Sequence, residues 1–199
     1  MPGRFFLTAT IAQIAAAFDA APEGVTEGGA RLDVAPGETV TAVVGHEGRR
    51  LVEMRWGMIP MGRRNARGRP VLETIVNARS ETLFEKSAFA DLRRCILPVS
   101  GWYEWTGAAR RKTRWAISGE GELLAFAAVW DLWTAPGGGQ LRSLATVTTE
   151  PNADVVAVHH RMPAILEPAD WPLWLGEVEG DAGALLRPYP AGRLKVEKT

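Results

Sequence analysis

Cysteine is nearly missing from this chain: Cys95 is the only one in 199 residues. That excludes an intramolecular disulfide and any cysteine-cluster metal site, and it fits a reducing compartment. Long apolar runs are missing as well. No stretch approaches the roughly 20 residues needed to span a bilayer, and the start, Met1 to Phe6, carries Arg4 but no apolar segment ending at small residues, so neither a membrane span nor a signal peptide is expected. There are only three histidines, and His159 and His160 are adjacent, which keeps them from facing one site on a regular strand or helix; no metal centre and no other cofactor is expected. Net charge is absent too: 23 Lys and Arg balance 23 Asp and Glu, so bulk electrostatics announce no polyanionic partner. No composition shift marks a second domain and no internal repeat is visible, so residues 1–199 are expected to form a single domain.

What is present is unevenly spread. Nineteen of the 23 basic residues are arginine, and Arg49 to Arg79 holds eight arginines against Glu53 and Glu73. A second basic cluster holds Arg93, Arg94, Arg110, Arg111, Lys112 and Arg114, while Glu150 to Asp181 carries seven acids and only Arg161. The planar guanidinium donates two hydrogen bonds at once to a phosphate, so the Arg49 to Arg79 cluster reads as phosphate-binding, against the alternative of a solvated surface.

Periodicity sets out the elements. Ile11, Ile14, Ala15 and Phe18 place an amphipathic helix between Thr8 and Ala20. Val40 to Val44 and Leu51 to Trp56 read as a hairpin turning at His46, Glu47 and Gly48, and Met61 to Pro70 as an exposed loop. Ser80 is a plausible N-cap for a helix running to about Arg93, with Leu83, Phe84, Phe89 and Leu92 as its apolar face. Five strands follow, at Cys95 to Val99, Trp102 to Thr106, Arg114 to Ser118, Leu123 to Trp130 and Leu141 to Thr148. Ala153 to Val158 and Pro168 to Leu175 are predicted as short helices, and the tail from Leu185 as a returning strand. The expected class is α+β, a mostly antiparallel, barrel-like sheet with flanking short helices.

Four separated motifs resemble one family in that family's order. They are Gly3-Arg4-Phe5 at the start; RWGMIP from Arg55 to Pro60 with VNARSET from Val76 to Thr82; CILPVSGWYEW from Cys95 to Trp105; and TTEPNADVVAVHHRMPAIL from Thr148 to Leu166. The chain is therefore identified as resembling the SOS-response-associated peptidase (SRAP) family of abasic-site processing proteins. The resemblance implies a groove for single-stranded DNA ending beside the N-terminus. By motif it assigns Asn77, Glu104 and His159 as polar active-site residues, and Gly3, Arg4, Trp56, Arg79 and Arg161 as DNA contacts. It also implies a cysteine at position 2, freed by removal of methionine, whose amine and thiol capture the aldehyde of an abasic site as a stable ring. Here that residue is Pro2.

Taken as chemistry, a free Pro2 amine can still attack an aldehyde to give an iminium. Glu104, flanked by Trp102, Tyr103 and Trp105, reads either as a surface carboxylate on an alternating strand or as a buried acid with a raised pKa. His159 suits proton transfer near neutrality, and Asn77 can orient the sugar or hold Glu104. Trp56 and Trp102 are expected to stack on bases, and Trp130, Trp133, Trp171 and Trp174 to lie in the core with an inert Cys95. The partner implied is single-stranded DNA containing abasic sites, met by a cytoplasmic, nucleoid-associated monomer. Two functions compete: strand cleavage of the abasic-site lyase kind through Pro2, and non-covalent binding of single-stranded DNA by a chain that has lost its nucleophile. Peptidase activity ranks last, since its cysteine is missing.

Overall fold

The computed structural model describes residues 2–45, 47–59, 74–84, 92–108, 110–121, 123–135 and 137–199. In chain order the first elements are β1 (Phe5–Leu7), α1 (Ile11–Phe18), β2 (Ala20–Pro22), β3 (Arg31–Val34), β4 (Thr39–Gly45), β5 (Arg49–Trp56) and β6 (Asn77–Arg79). They are followed by β7 (Arg93–Val99), β8 (Gly101–Thr106), β9 (Thr113–Gly119), β10 (Leu124–Thr134), β11 (Gln140–Thr149), β12 (Met162–Pro163), β13 (Ile165–Leu166), α2 (Trp171–Leu175) and β14 (Leu194–Lys198).

Five of these strands close on themselves, in the order β11, β10, β7, β4, β5 and back to β11. A closed ring with an odd number of strands cannot alternate direction all the way round. One neighbouring pair must run parallel, and here it is β11 with β5, matched at Ser143 to Arg55 and Leu144 to Trp56. The other four pairings are antiparallel. A second sheet, ordered β14, β9, β8, β1, β3, lies beside the barrel. The expected α+β class with a mostly antiparallel, barrel-like sheet describes this architecture.

Two apolar clusters hold it together. The first joins Val52, Met54, Trp56, Cys95, Leu97 and Phe126 of the barrel to Phe5, Trp102 and Ile117 of the second sheet. The other buries Ile11, Ile14 and Phe18 of α1 and Trp174 of α2 against Val43, Leu51, Ile96 and Ala127. Helix α1 lies inside the predicted Thr8 to Ala20 stretch; it begins at Ile11 because Thr10 and Gln13 form a reciprocal capping box, and it stops at Asp19, which adopts a left-handed conformation at φ 49°.

The chain start is laid against β8 by close backbone contact. Phe5 pairs with Trp102 and Phe6 with Gly101, and the Tyr103 N–H donates to the Arg4 carbonyl at 2.9 Å. Gly101 permits this approach: a Cβ there would lie 2.4 Å from both the Ile117 carbonyl oxygen and the Phe6 ring.

Two predicted helices differ in the described residues. Ser80–Thr82 is a 3-10 turn and Arg93 already belongs to β7, its backbone committed to the ladder opposite Trp130, while residues 85–91 of the predicted helix lie outside the described residues. Phe84 is 53% exposed rather than part of an apolar face, and Phe89 lies outside the described residues. Ala153 to Val158 forms consecutive turns, because the Asn152 side chain accepts from the Asp154 and Val155 N–H groups and competes with helical pairing. His46 and the Met61 to Pro70 segment also fall outside the described residues.

Trp102 is fully buried and meets Phe126 edge-on at 5.5 Å. Trp102→Ala is expected to lower stability by about 3 to 5 kcal/mol through the cavity left behind. Urea denaturation measures it, and a loss below about 1 kcal/mol would contradict this account of the core.

Candidate functional site

Alternation along β8 turns Trp102 and Glu104 to the buried side and Tyr103 and Trp105 outward. Glu104 is only 4% exposed. Burial drives its pKa above the ordinary glutamate value, with the positive charge of the chain terminus acting in the opposite direction. The surface alternative for this carboxylate is therefore excluded.

His159 Nε2 stands 4.0 Å from Glu104 Oε2. The other ring nitrogen, Nδ1, accepts from the Arg161 backbone N–H at 2.9 Å, which fixes the imidazole edge that faces the carboxylate. Burial lowers the His159 pKa, and the charge of the chain terminus lowers it further. Both groups thus feel the terminal charge.

Pro2 is buried, and Asn77 Nδ2 donates to its carbonyl at 3.1 Å. Asn77 sits on β6, held parallel to β11 opposite Thr146. Its Oδ1 is buried without a partner among the described residues, an acceptor left open beside the chain start. The structure therefore brings Pro2, Asn77, Glu104 and His159 into one neighbourhood. Such a set combines a buried carboxyl with a raised pKa and an imidazole with a lowered one, which are parts for proton transfer around an addition to a carbonyl. Among the described residues no three His, Cys, Asp or Glu side chains converge as metal ligands.

Beside the start lies a cleft of about 510 Å³ lined by Gly3, Arg4, Asp33, Trp105, Lys112 and Arg114. Arg4 reaches both carboxylate oxygens of Asp33 at 3.0 Å yet stays partly exposed, and Arg79 is exposed at the end of β6.

Three predicted DNA contacts are corrected. Trp56 and Trp102 are 1% and 0% exposed and pack on Phe5 and Phe126, so neither ring has a face for a base. The exposed aromatic beside the site is Trp105, at 38%. The two-residue alternation of WYEW carried that signal: if Glu104 is buried, Trp102 goes with it and Trp105 does not. Arg161, 9% exposed, forks onto the Glu81 carboxylate and donates to the Thr148 carbonyl at 2.6 Å, which makes it an anchor for the His159 turn.

The Arg49 to Arg79 cluster is also partly structural. Arg49 chelates Glu177 at 2.7 and 2.9 Å, Arg50 pairs with Glu23 at 3.2 Å, and Arg55 donates to the Gly57 carbonyl at 2.6 Å. Arg63, Arg64, Arg67 and Arg69 lie outside the described residues. Trp174 is core as expected, whereas Trp130, Trp133 and Trp171 are only half-buried. Cys95 is buried, which pushes its thiol pKa far up and leaves it inert.

The Glu81 carboxyl, hydrogen-bonded by Arg161, is held down at about 2. A depressed carboxyl stabilises the fold above its ordinary range and loses that contribution as pH falls toward the folded value. Arg161→Ala is therefore expected to remove a component of acid sensitivity between the ordinary glutamate range and pH about 2, read as melting temperature against pH. An unchanged acid limb would contradict the assignment. Glu81 is half exposed, so the ion pair's own contribution at neutral pH is modest.

A family model described as SOS response associated peptidase (SRAP) matches residues 1–199. The abasic site processing protein YoqW of Bacillus subtilis (strain 168) is 32% identical over 208 residues, covering 98% of this chain and 91% of that protein. The abasic site processing protein HMCES of Gallus gallus is 30% identical over 141 residues, covering 59% of this chain and 42% of that protein. In fold, the chain matches the crystal structure of a protein from Bacteroides thetaiotaomicron with a TM-score of 0.84 at 22% identity, covering 98% of this chain and 90% of that one.

Proposed function

The chain belongs to the SOS response associated peptidase (SRAP) family, and from that premise we propose that it recognises abasic sites in single-stranded DNA and cleaves the strand through a transient iminium at Pro2. On this reading it acts as a cytoplasmic, nucleoid-associated monomer of one domain. The carrying observation is the buried Pro2, held through its carbonyl by Asn77, on a chain start laid against the strand that carries the buried Glu104, itself 4.0 Å from His159. The names of YoqW and HMCES supply the substrate class.

The chemistry balances without a cofactor. Removal of Met1 leaves Pro2 as a secondary amine, which adds to the open-chain aldehyde; loss of water gives an iminium. That cation acidifies the adjacent sugar carbon. A base removes its proton, the electron pair forms the new carbon–carbon double bond, and the 3′ phosphate departs with its bonding electrons. Hydrolysis returns the amine and releases the unsaturated aldehyde. Glu104 and His159 serve as the acid and base, and Asn77 Oδ1 accepts a hydrogen bond from a sugar hydroxyl. Base stacking falls to Trp105, and Arg4 and Arg79 take phosphates.

Borohydride reduces an iminium to a stable amine, so an oligonucleotide carrying one abasic site should become covalently attached in its presence, and an undamaged one should not. Attachment that persists without borohydride would refute the transient intermediate. The absence of any adduct would favour the second reading, non-covalent binding of single-stranded DNA, which the loss of the thiol at position 2 makes the natural alternative. Peptidase activity ranks last on this reading, since position 2 is proline and the Cys95 thiol is buried.

A further inference from the structure

Two adjoining clefts, of about 610 and 480 Å³, share Arg93, Trp130 and Arg142 and form one groove away from the Pro2 site. Strand register explains why these side chains converge. Val44 faces Arg50, Arg93 faces Trp130, and Leu132 faces Arg142 across their ladders. Opposed residues share a face of the sheet, and so do Trp130 and Leu132 two apart on β10. Arg50, Arg93 and Arg142 therefore project from the face that, two residues further along each strand, contributes Val52, Cys95 and Leu144 to the core.

The charges are poorly balanced. Among the described residues Glu23 and Glu53 are the acids lining the groove, against Arg50, Arg55, Arg93, Arg94 and Arg142. Glu23 pairs with Arg50, and Glu53 accepts from the Thr26 N–H. Arg94 and Arg55 are spent on the carbonyls of Trp174 and Gly57. Arg93 and Arg142 are exposed, and neither has a carboxylate partner among the described residues. The Arg93 guanidinium lies 4.9 Å over the Trp130 ring, which orders it without neutralising it.

We propose that this groove is a second nucleic-acid-binding surface, in which Arg93 and Arg142 hold phosphodiester groups of a DNA strand away from the reacting nucleotide. The inference rests on the reading of DNA as the ligand. Two guanidiniums with no carboxylate partner among the described residues, set in an open groove, suit a repeating phosphate better than a single small anion, which would be enclosed.

The test is the salt dependence of binding to an undamaged single-stranded 20-mer, compared between the full chain and its Arg93→Ala/Arg142→Ala variant. Loss of two phosphate contacts should reduce the slope of log affinity against log salt by about 1.4, since each contact contributes about 0.7 on single strands. An unchanged slope overturns the inference. If the double variant does not melt cooperatively, Arg142→Glu alone changes one exposed side chain, and a slope lowered by less than about 0.7 overturns the inference equally. Borohydride trapping of an abasic 20-mer separates the two claims. A lowered slope with no trapping by the unmodified chain leaves the groove standing and removes the Pro2 chemistry; trapping with an unchanged slope does the reverse.

Discussion

Glu104→Gln is expected to slow strand cleavage at abasic sites by roughly 10²- to 10⁴-fold, the usual worth of a positioned acid or base, and at the same time to raise the melting temperature at pH 7. The two effects share one cause. Glu104 is buried at 4% exposure, and burial outweighs the attraction of the terminal charge, so its pKa stands above the ordinary value. Between the unfolded and folded pKa values the folded chain binds the extra proton, so stability declines as pH rises through that window. Above it the fold carries a buried carboxylate at a cost, which the neutral amide removes. The gain in melting temperature should fade as pH drops below the ordinary glutamate range, where both states are protonated. Thermal melts from pH 4 to 8 and single-turnover cleavage read the two halves separately. A variant that melts lower at neutral pH would show that the carboxylate is a structural anchor, and one that cleaves normally would remove it from the chemistry.

Glu104 also shows what a sequence can and cannot convey. Its motif identified it as functional, but whether it was buried depended on which face of β8 meets the core, and WYEW is aromatic on both faces. Trp102 and Trp56 were misread for the same reason: a tryptophan suits a core and a base-stacking platform alike, and only the strand's phase distinguishes them. Arg161 failed differently. It shares a motif with His159, yet its partner Glu81 lies 80 residues earlier, and no local pattern encodes an ion pair closed by β6 and β11 running side by side. The barrel strands were legible because each is bounded by turn residues and carries β-branched or aromatic side chains. At the end of the helix predicted after Ser80, apolar spacing extends to about Arg93, but the backbone of Arg93 is taken up by β10. The position of Pro2 beside Asn77 could be expected only from the family motifs, since the contact spans 75 residues.

Pro2→Cys is expected to turn a transient intermediate into a lasting one, moving the yield of denaturation-resistant protein–DNA adduct without borohydride from undetectable to near stoichiometric. The terminal residue decides the fate of the iminium. A secondary amine gives a cation that can only be hydrolysed or lose the neighbouring proton and expel phosphate, whereas an adjacent thiolate can add to the same carbon and close a neutral five-membered ring. In either variant the unprotonated amine is the form that attacks, so cleavage by the natural chain should rise with pH until deprotonation is complete. Retention or acetylation of the terminal methionine should abolish both the borohydride-trapped adduct of the proline form and the lasting adduct of the cysteine form, because the nitrogen of residue 2 is then an amide. Intact mass of the purified chain identifies which form is present, and denaturing gels with abasic oligonucleotide measure the adduct. A cysteine variant with a free terminus that yields no lasting adduct would mean that bound DNA does not bring its aldehyde to residue 2, and the site would then be one of binding alone.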